Sequence, residues 1–494
     1  MTIPVLLTVG GCILIASGVS KTSRNPLLMV VGLGMAAVSI PLQIGASSGM
    51  VNLIGNLSLS FGLGVLGMAV VMKTKALKAS PFLAIGALCL AVAGIAQIPA
   101  LSSSFIAGDE SGTFLLELGP DDSIDEVAAT LDQYGATYEQ AFPTVSFEAS
   151  EDLSKVYIIK GAKKILKKLI DVLLDDTENV DAAELNIDVS LVPVIDGEVK
   201  QYRTTRIVAD DPLAIQQWSL AAAQINDAHE FLKNATPQRK AIVAILDTGV
   251  DAGHEDISGT FTESPAGTDK HGHGTHCAGI AGAATNNGVG IASLNWEGQY
   301  VDIKSYAALG SSGMGTVESI AQAIIDATTD GADVISMSLG VQVPFTPKVV
   351  VDAVKFALQR DVIIVAAAGN ANRNAIDHMP SNIDGVISVA AVDEHLKKAS
   401  FSNTNTALSR PIAAPGVNIM SLEPAGRYGS KSGTSMATPL VAGLIGTMRA
   451  LNPSLTADEA YQILHSTGTT SGSVGQTGRV INAAAALEQT GANL

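Results

Sequence analysis

Apolar residues run almost unbroken from Met1 to Ile106, a stretch without one Asp or Glu, and the rest of the chain alternates short apolar runs with helical repeats. In the first stretch, Ile3–Ser20, Pro26–Ile44, Val51–Met72 and Pro81–Leu101 each match the length needed to cross a hydrocarbon core of about 30 Å, so residues 1–106 are expected to form an all-α transmembrane region of about four helices. Beyond it, Thr113–Leu118 alternates as a strand and Asp125–Tyr134 reads as a helix opened by Ser123. Thr137–Phe147 contains strand patterns, Lys163–Leu174 is an amphipathic helix, and Val180–Leu191 is strand-like. This β-α-β-β-α-β order predicts a ferredoxin-like α+β domain over residues 107–195. Residues 196–210 form a linker. From residue 211 to 494, buried-strand patterns at Ala241–Leu246, Val301–Tyr306, Val334–Met337, Val362–Ala367 and Val386–Val392 alternate with helices such as Thr316–Thr328, Pro347–Gln359 and Ser435–Leu451. That alternation predicts an α/β doubly wound parallel sheet.

Three short strings in this last region carry chemistry: DTGVD with Asp247, HGHGTHCAG with His273, and GTSMATP with Ser435. A hydroxyl nucleophile needs an imidazole to take its proton and a carboxylate to fix the imidazole's tautomer. Asp247 falls at the carboxyl end of a buried strand, where open α/β sheets place their sites. Ser435 opens a helix, among free backbone N–H groups. A fourth string, AAGN, ends in Asn370, whose amide suits donation to an oxyanion.

In these strings, taken with SLG, the region from about Asp211 to Ala486 resembles the subtilisin-like serine proteases, the subtilases. The resemblance implies Asp247 as orienting acid, His273 as general base and acid, Ser435 as nucleophile, and Asn370 with the Ser435 N–H as oxyanion hole. It implies that substrate lies as a strand between Gly313-Met314-Gly315 and Ser338-Leu339-Gly340, with Gly369 flooring the pocket for the residue before the cut. No cofactor is required for the chemistry. A structural calcium ion is expected at Asp211, Asp256, Asn287, Val289 and Ile291, whose hard oxygens suit it. The resemblance also casts residues 107–195 as a propeptide that inhibits its own catalytic domain until cut within Val192–Asp210.

The other chemical candidates read as structural. His271 and His276 flank His273, but the intervening glycines and the helix turn point their rings differently, and His254 belongs to the loop after Asp247. Cys277 sits one helical turn beyond His273, and three cysteines in all imply no disulfide framework.

Charge settles partners and orientation. The net charge is −17, and five basic residues before position 107 leave 25 basic against 47 acidic beyond it, which excludes nucleic acid as a partner. Lys21 and Arg24, then Lys73, Lys75 and Lys78, place the first and third loops in the cytoplasm by the positive-inside rule. Four spans then put the catalytic domain outside. The sequence therefore leads to a multipass cell-membrane serine endopeptidase acting on extracytoplasmic polypeptides, with the lipid membrane and its own propeptide as partners. The alternative is a propeptide-locked membrane protein that binds peptides or signals without turnover.

Overall fold

The computed structural model describes residues 111–192, 194–196, 207–262 and 268–492. The chain first builds β1 (Ser111–Leu118), α1 (Ile124–Gln133), β2 (Thr137–Gln140), β3 (Val156–Ala162), α2 (Lys163–Leu174) and β4 (Val180–Leu185). These strands form a four-stranded antiparallel sheet in the order β2-β3-β1-β4. Period-two alternation divides β1 between two cores. Phe114, Leu116 and Leu118 pack with Val127 and Leu131 of α1 and Leu166, Leu169 and Leu173 of α2. Leu115 faces the other way and shares a core with helices of the larger sheet described next.

After β4 the chain leaves this sheet. β5 (Asp188–Leu191) and β6 (Ile195–Asp196) pair instead with segments at the candidate site. The larger sheet comprises β7 (Ala241–Asp247), β8 (Val301–Ala307), β10 (Val334–Met337), β12 (Ile363–Ala367), β14 (Ile387–Val392), β15 (Pro411–Pro415) and β18 (Arg479–Val480), with β9 (Met314–Thr316), β11 (Leu339–Gln342), β13 (His378–Met379), β16 (Ile419–Glu423) and β17 (Arg427–Ser432) lying outside it. Its order is β8-β7-β10-β12-β14-β15-β18, and every pair is parallel.

Both faces of that sheet are covered, which is why its strands are apolar at nearly every position. In β7, Val243 and Ile245 face one layer, formed by α3 (His273–Gly282) and α6 (Thr434–Leu451). Ala244 and Leu246 face the other, formed by α4 (Val317–Thr329) and α5 (Lys348–Leu358). Because the chain runs from β7 to β8 on one side and then returns to β10 on the other, the strand order reverses at β7. Its carboxyl end is therefore the crevice in which doubly wound sheets place their sites.

The doubly wound sheet agrees with the sequence-based expectation; the remainder of the expected fold class is corrected. No helix among the described residues is long and apolar enough to cross a membrane. The four expected spans lie outside the described residues, and the transmembrane region, the lipid partner and the cell-membrane localisation are not sustained. Nor is a self-contained ferredoxin-like propeptide domain found. The expected last strand, Val180–Leu191, breaks at Asn186–Ile187, and its second half joins the catalytic half of the molecule. The second face of the small sheet is sealed by α5: Glu184 accepts the N–H groups of Lys348 and Val349 at 2.8 and 3.0 Å, and so satisfies donors at the helix's first turn. The third strand, expected within Thr137–Phe147, forms at Val156–Ala162 instead.

Candidate active site

Asp247 ends β7 fully buried, and its carboxylate faces the ring of His273 at the first position of α3. His273 Nδ1 lies 2.8 and 2.9 Å from the two carboxylate oxygens, and one of these also accepts the Thr248 N–H at 2.8 Å. The pairing fixes the imidazole proton on Nδ1 and leaves the Nε2 lone pair to act as a base. Burial draws the His273 pKa down, but the adjacent Asp247 carboxylate outweighs it and holds the imidazole well above its ordinary value. The neighbouring Cys277 thiol, 3.8 Å from Nδ1, is itself pushed up by burial and stays protonated.

The approach of α3 to β7 depends on Gly274. A Cβ there would lie 2.0 Å from the Gly249 carbonyl oxygen. The start of α3 is held by a residue that the sequence reading passed over: Asp269 accepts the N–H groups of His271, Gly272 and Thr275 and the hydroxyls of Thr248 and Thr275, all within 3.0 Å. Its signal was an Asp just ahead of a helix start, the position from which a carboxylate meets free N–H groups.

Ser435 is the second residue of α6, fully buried, with its hydroxyl donating to the Ser338 carbonyl at 3.2 Å. His273 Nε2 has no hydrogen-bond partner among the described residues. The hydroxyl and the base thus sit in one site without being joined, a looseness common before substrate tightens such contacts. Asn370, three residues past the end of β12, accepts the N–H and hydroxyl of Thr434 through Oδ1, both at 2.9 Å. That fixes the amide so that Nδ2 lies beside Gly433, next to the nucleophile's helix. The loop carrying Asn370 is pinned by Asn403, which donates to the Ala368 carbonyl and accepts from Ala371 and Arg373. Asn403 was also not foreseen.

The two expected substrate segments do flank a groove, and the chain's own β5 lies in it. Ser190 pairs with Met314 and Gly340, Val189 with Gly315, and Leu191 with Leu339, while the Leu191 N–H donates to the Gly313 carbonyl at 2.9 Å. On the far side of Ser435, β6 pairs with Lys431 and Ser432 of β17. The described segments on either side of residue 193 are thus each held by antiparallel pairing.

All five expected calcium residues provide or receive hydrogen bonds around one loop. Asp211 accepts the N–H groups of Asn286 and Asn287, and Asp256 accepts the Ile291 N–H and the Asn287 side-chain amide. Val289 joins them through its N–H, donated to Asn287 Oδ1 at 2.8 Å. Burial raises Asp211 to about 6 and Asp256 to about 7, with the nearby Asp210 adding to the first and Asp211 to the second. His276 and His254 are buried and bond to the Gly429 and Arg427 carbonyls. His271 stands with its ring centre 6.4 Å from that of His273. None of the three converges on a shared ligand.

Residues 238–482 match the Subtilase family. Alkaline protease of Alkalihalobacillus alcalophilus is 35% identical over 315 residues, covering 63% of this chain and 77% of that protein. The chain is a subtilase. Subtilisin Savinase of Lederbergia lenta is 36% identical over 275 residues, 54% of this chain and 97% of that one. Thermophilic serine proteinase of Bacillus sp. (strain AK1) is 41% identical over 209 residues, 41% of this chain, and this subtilase spans 50% of that protein's length. A solved structure of a protease from Pseudoalteromonas arctica PAMC 21717 superposes with a TM-score of 0.51 at 27% identity, covering 57% of this chain and 99% of the other. The subtilase is a serine-type endopeptidase. The family match begins well after β4, so nothing in it identifies the small sheet as a propeptide, and the expectation of a membrane-anchored, self-inhibited enzyme is withdrawn with the membrane region.

Proposed function

We propose that this subtilase hydrolyses peptide bonds in polypeptides through an acyl-enzyme formed on Ser435. His273 Nε2 takes the Ser435 proton as Oγ attacks the scissile carbonyl, then returns it to the leaving amine. Asp247 holds the tautomer and stabilises the imidazolium. The Asn370 amide and the Ser435 N–H receive the oxyanion. The reading requires two adjustments: rotation of the Ser435 side chain away from the Ser338 carbonyl, and departure of β5 from the groove that a polypeptide substrate would fill.

The observation that carries the reading is the buried Asp247–His273 pair, linked through Cys277 to the Ser435 backbone, beside a groove with strand-pairing edges. An extended polypeptide is the ligand that such edges recognise, through backbone hydrogen bonds that are indifferent to sequence. Hydrolysis of casein by the full chain, compared with Ser435→Ala, tests it. Loss of hydrolysis with Ser435→Ala supports the reading, and unchanged hydrolysis sinks it.

We also propose a structural calcium ion at the loop of residues 286–291. Two buried carboxylates with raised pKa values, an Asn side chain and neighbouring carbonyls supply hard oxygen donors of the kind calcium takes. Asp211, Asp256 and Asn287 would hold it with the carbonyls of Val289 and Ile291. Its role would be stability, and no catalytic step passes through it.

A further inference from the structure

The loop of residues 286–291 carries a pair of residues whose chemistry neither the catalytic site nor the proposed cation uses. Asn287 is followed by Gly288, the one Asn-Gly pair in the chain. A backbone nitrogen that follows an asparagine can attack the side-chain amide carbon, and a glycine at that nitrogen offers the least steric resistance to ring closure. Both residues are exposed. Gly288 has φ +71°, and a Cβ placed on it would meet nothing within 4 Å, so the space in which such a ring forms is open.

The loop also supplies the groups that the attack needs. Asn287 Oδ1 accepts the Val289 N–H at 2.8 Å, which folds the side chain back over the Asn287–Gly288 peptide. The same bond sets a donor against the oxygen that takes on negative charge when the amide carbon is attacked. The Gly288 N–H donates to Asp210 Oδ1 at 2.9 Å, within the reach required of a general base. Asn287 Nδ2 donates to Asp256 Oδ1 at 3.3 Å, which holds the other end of the amide. Nucleophile, acceptor for its proton and oxyanion donor therefore surround one exposed side chain.

We propose that Asn287 is a self-modifying site, which the folded loop converts to aspartate and isoaspartate. The Gly288 nitrogen bonds to Asn287 Cγ and passes its proton to Asp210. The bond from Cγ to Nδ2 then breaks, and with that proton returned to it the nitrogen leaves as ammonia, so that a succinimide remains. Water, the only co-reactant, opens the ring. Attack at Cγ restores the backbone and leaves aspartate, while attack at the main-chain carbonyl leaves isoaspartate, and nothing is oxidised or reduced. A carboxylate at position 287 can no longer donate to Asp256 and sets a like charge against it, so the modification makes the loop harder to hold without a cation.

The test uses the full chain carrying Ser435→Ala, to exclude self-digestion, incubated with a chelator at mildly alkaline pH and sampled over days. Peptide mass spectrometry should show a gain of about 1 Da at Asn287, with fragment ions that identify isoaspartate in part of the product. The rate should be about tenfold or more higher in the folded chain than in the same chain unfolded in urea. Asp210→Asn and Asp210→Ala should each lower the folded rate about tenfold. Absence of the mass gain at Asn287 overturns the proposal. So does a folded rate no higher than the unfolded one, or a folded rate that either Asp210 variant leaves unchanged. Neither Ser435 nor a bound cation takes part in the step, so any of these outcomes leaves the endopeptidase reading and the calcium proposal where they stand.

Discussion

Two regions of this subtilase bury acidic side chains in pairs, and they treat them in opposite ways. At the catalytic centre, Asp247 meets an imidazole and a backbone N–H, and Asp269 collects five N–H and O–H donors from the turn it organises. At the loop of residues 286–291, Asp211 and Asp256 receive two donors each, no cationic side chain among the described residues is bonded to either, and burial pushes them to about 6 and about 7. The difference teaches where each site is complete. The catalytic carboxylates draw their compensation from the chain itself, which holds them rigidly in place. The loop carboxylates are under-compensated by the chain, which is the condition under which a bound cation adds stability.

The sharpest way to break this comparison is to remove charge from the self-sufficient side. Asp247→Asn should lower kcat by about 10⁴-fold, because an amide can no longer hold the productive tautomer. The pH profile adds a second readout. The neutral imidazole is the base, so kcat/KM rises as pH climbs through the His273 pKa, and the midpoint in the unaltered enzyme should lie above 6.5. In Asp247→Asn the burial effect is opposed only by the Cys277 contact, and the midpoint should move down.

Asn370→Ala should cost about 100 to 1000-fold in kcat with little change in KM, since the amide serves the oxyanion more than the bound substrate. Asp269→Ala acts differently, because it touches no substrate and only positions α3. It should destabilise the fold by about 3 kcal/mol, measured by urea unfolding, through donors left without an acceptor. If it lowers activity without affecting stability, the positioning account of Asp269 fails.

The smallest effect belongs to the loop. Folding raises both carboxylates from 3.8, so the folded state binds protons more tightly than the unfolded one, and stability without a cation falls as pH rises through this window up to about 7. Calcium at a hundredfold excess over its Kd should therefore stabilise by about 2.7 kcal/mol at pH 8, roughly 5 °C in Tm, and by clearly less at pH 5. Asp256→Asn should remove the pH 8 increment. An equal calcium effect at both pH values would contradict the account.

What could be read from the sequence divides along the same line as locality. Asp247, His273 and Ser435 each sit at the end of a strand or the start of a helix, Asn370 follows a strand end by three residues, and the apolar runs that define those elements are contiguous. The doubly wound sheet was legible for the same reason. Strand β5 was not, because nothing within Val180–Leu191 records that its second half pairs with residues more than a hundred positions away. β3, VYIIKGA, carries a lysine and a glycine that blur its alternation, and its partners supply the register. Asp269 and Asn403 lie between, since short polar residues beside turns are recognisable as a class while their partners are not.

The central claim is that Ser435 is the nucleophile activated by His273. Treating the full chain with a fluorophosphonate probe and locating the adduct by peptide mass spectrometry tests it most directly. The account predicts one adduct, on Ser435, lost in Ser435→Ala and strongly reduced in His273→Ala. An adduct on another serine, or labelling of Ser435 undiminished by His273→Ala, would contradict it.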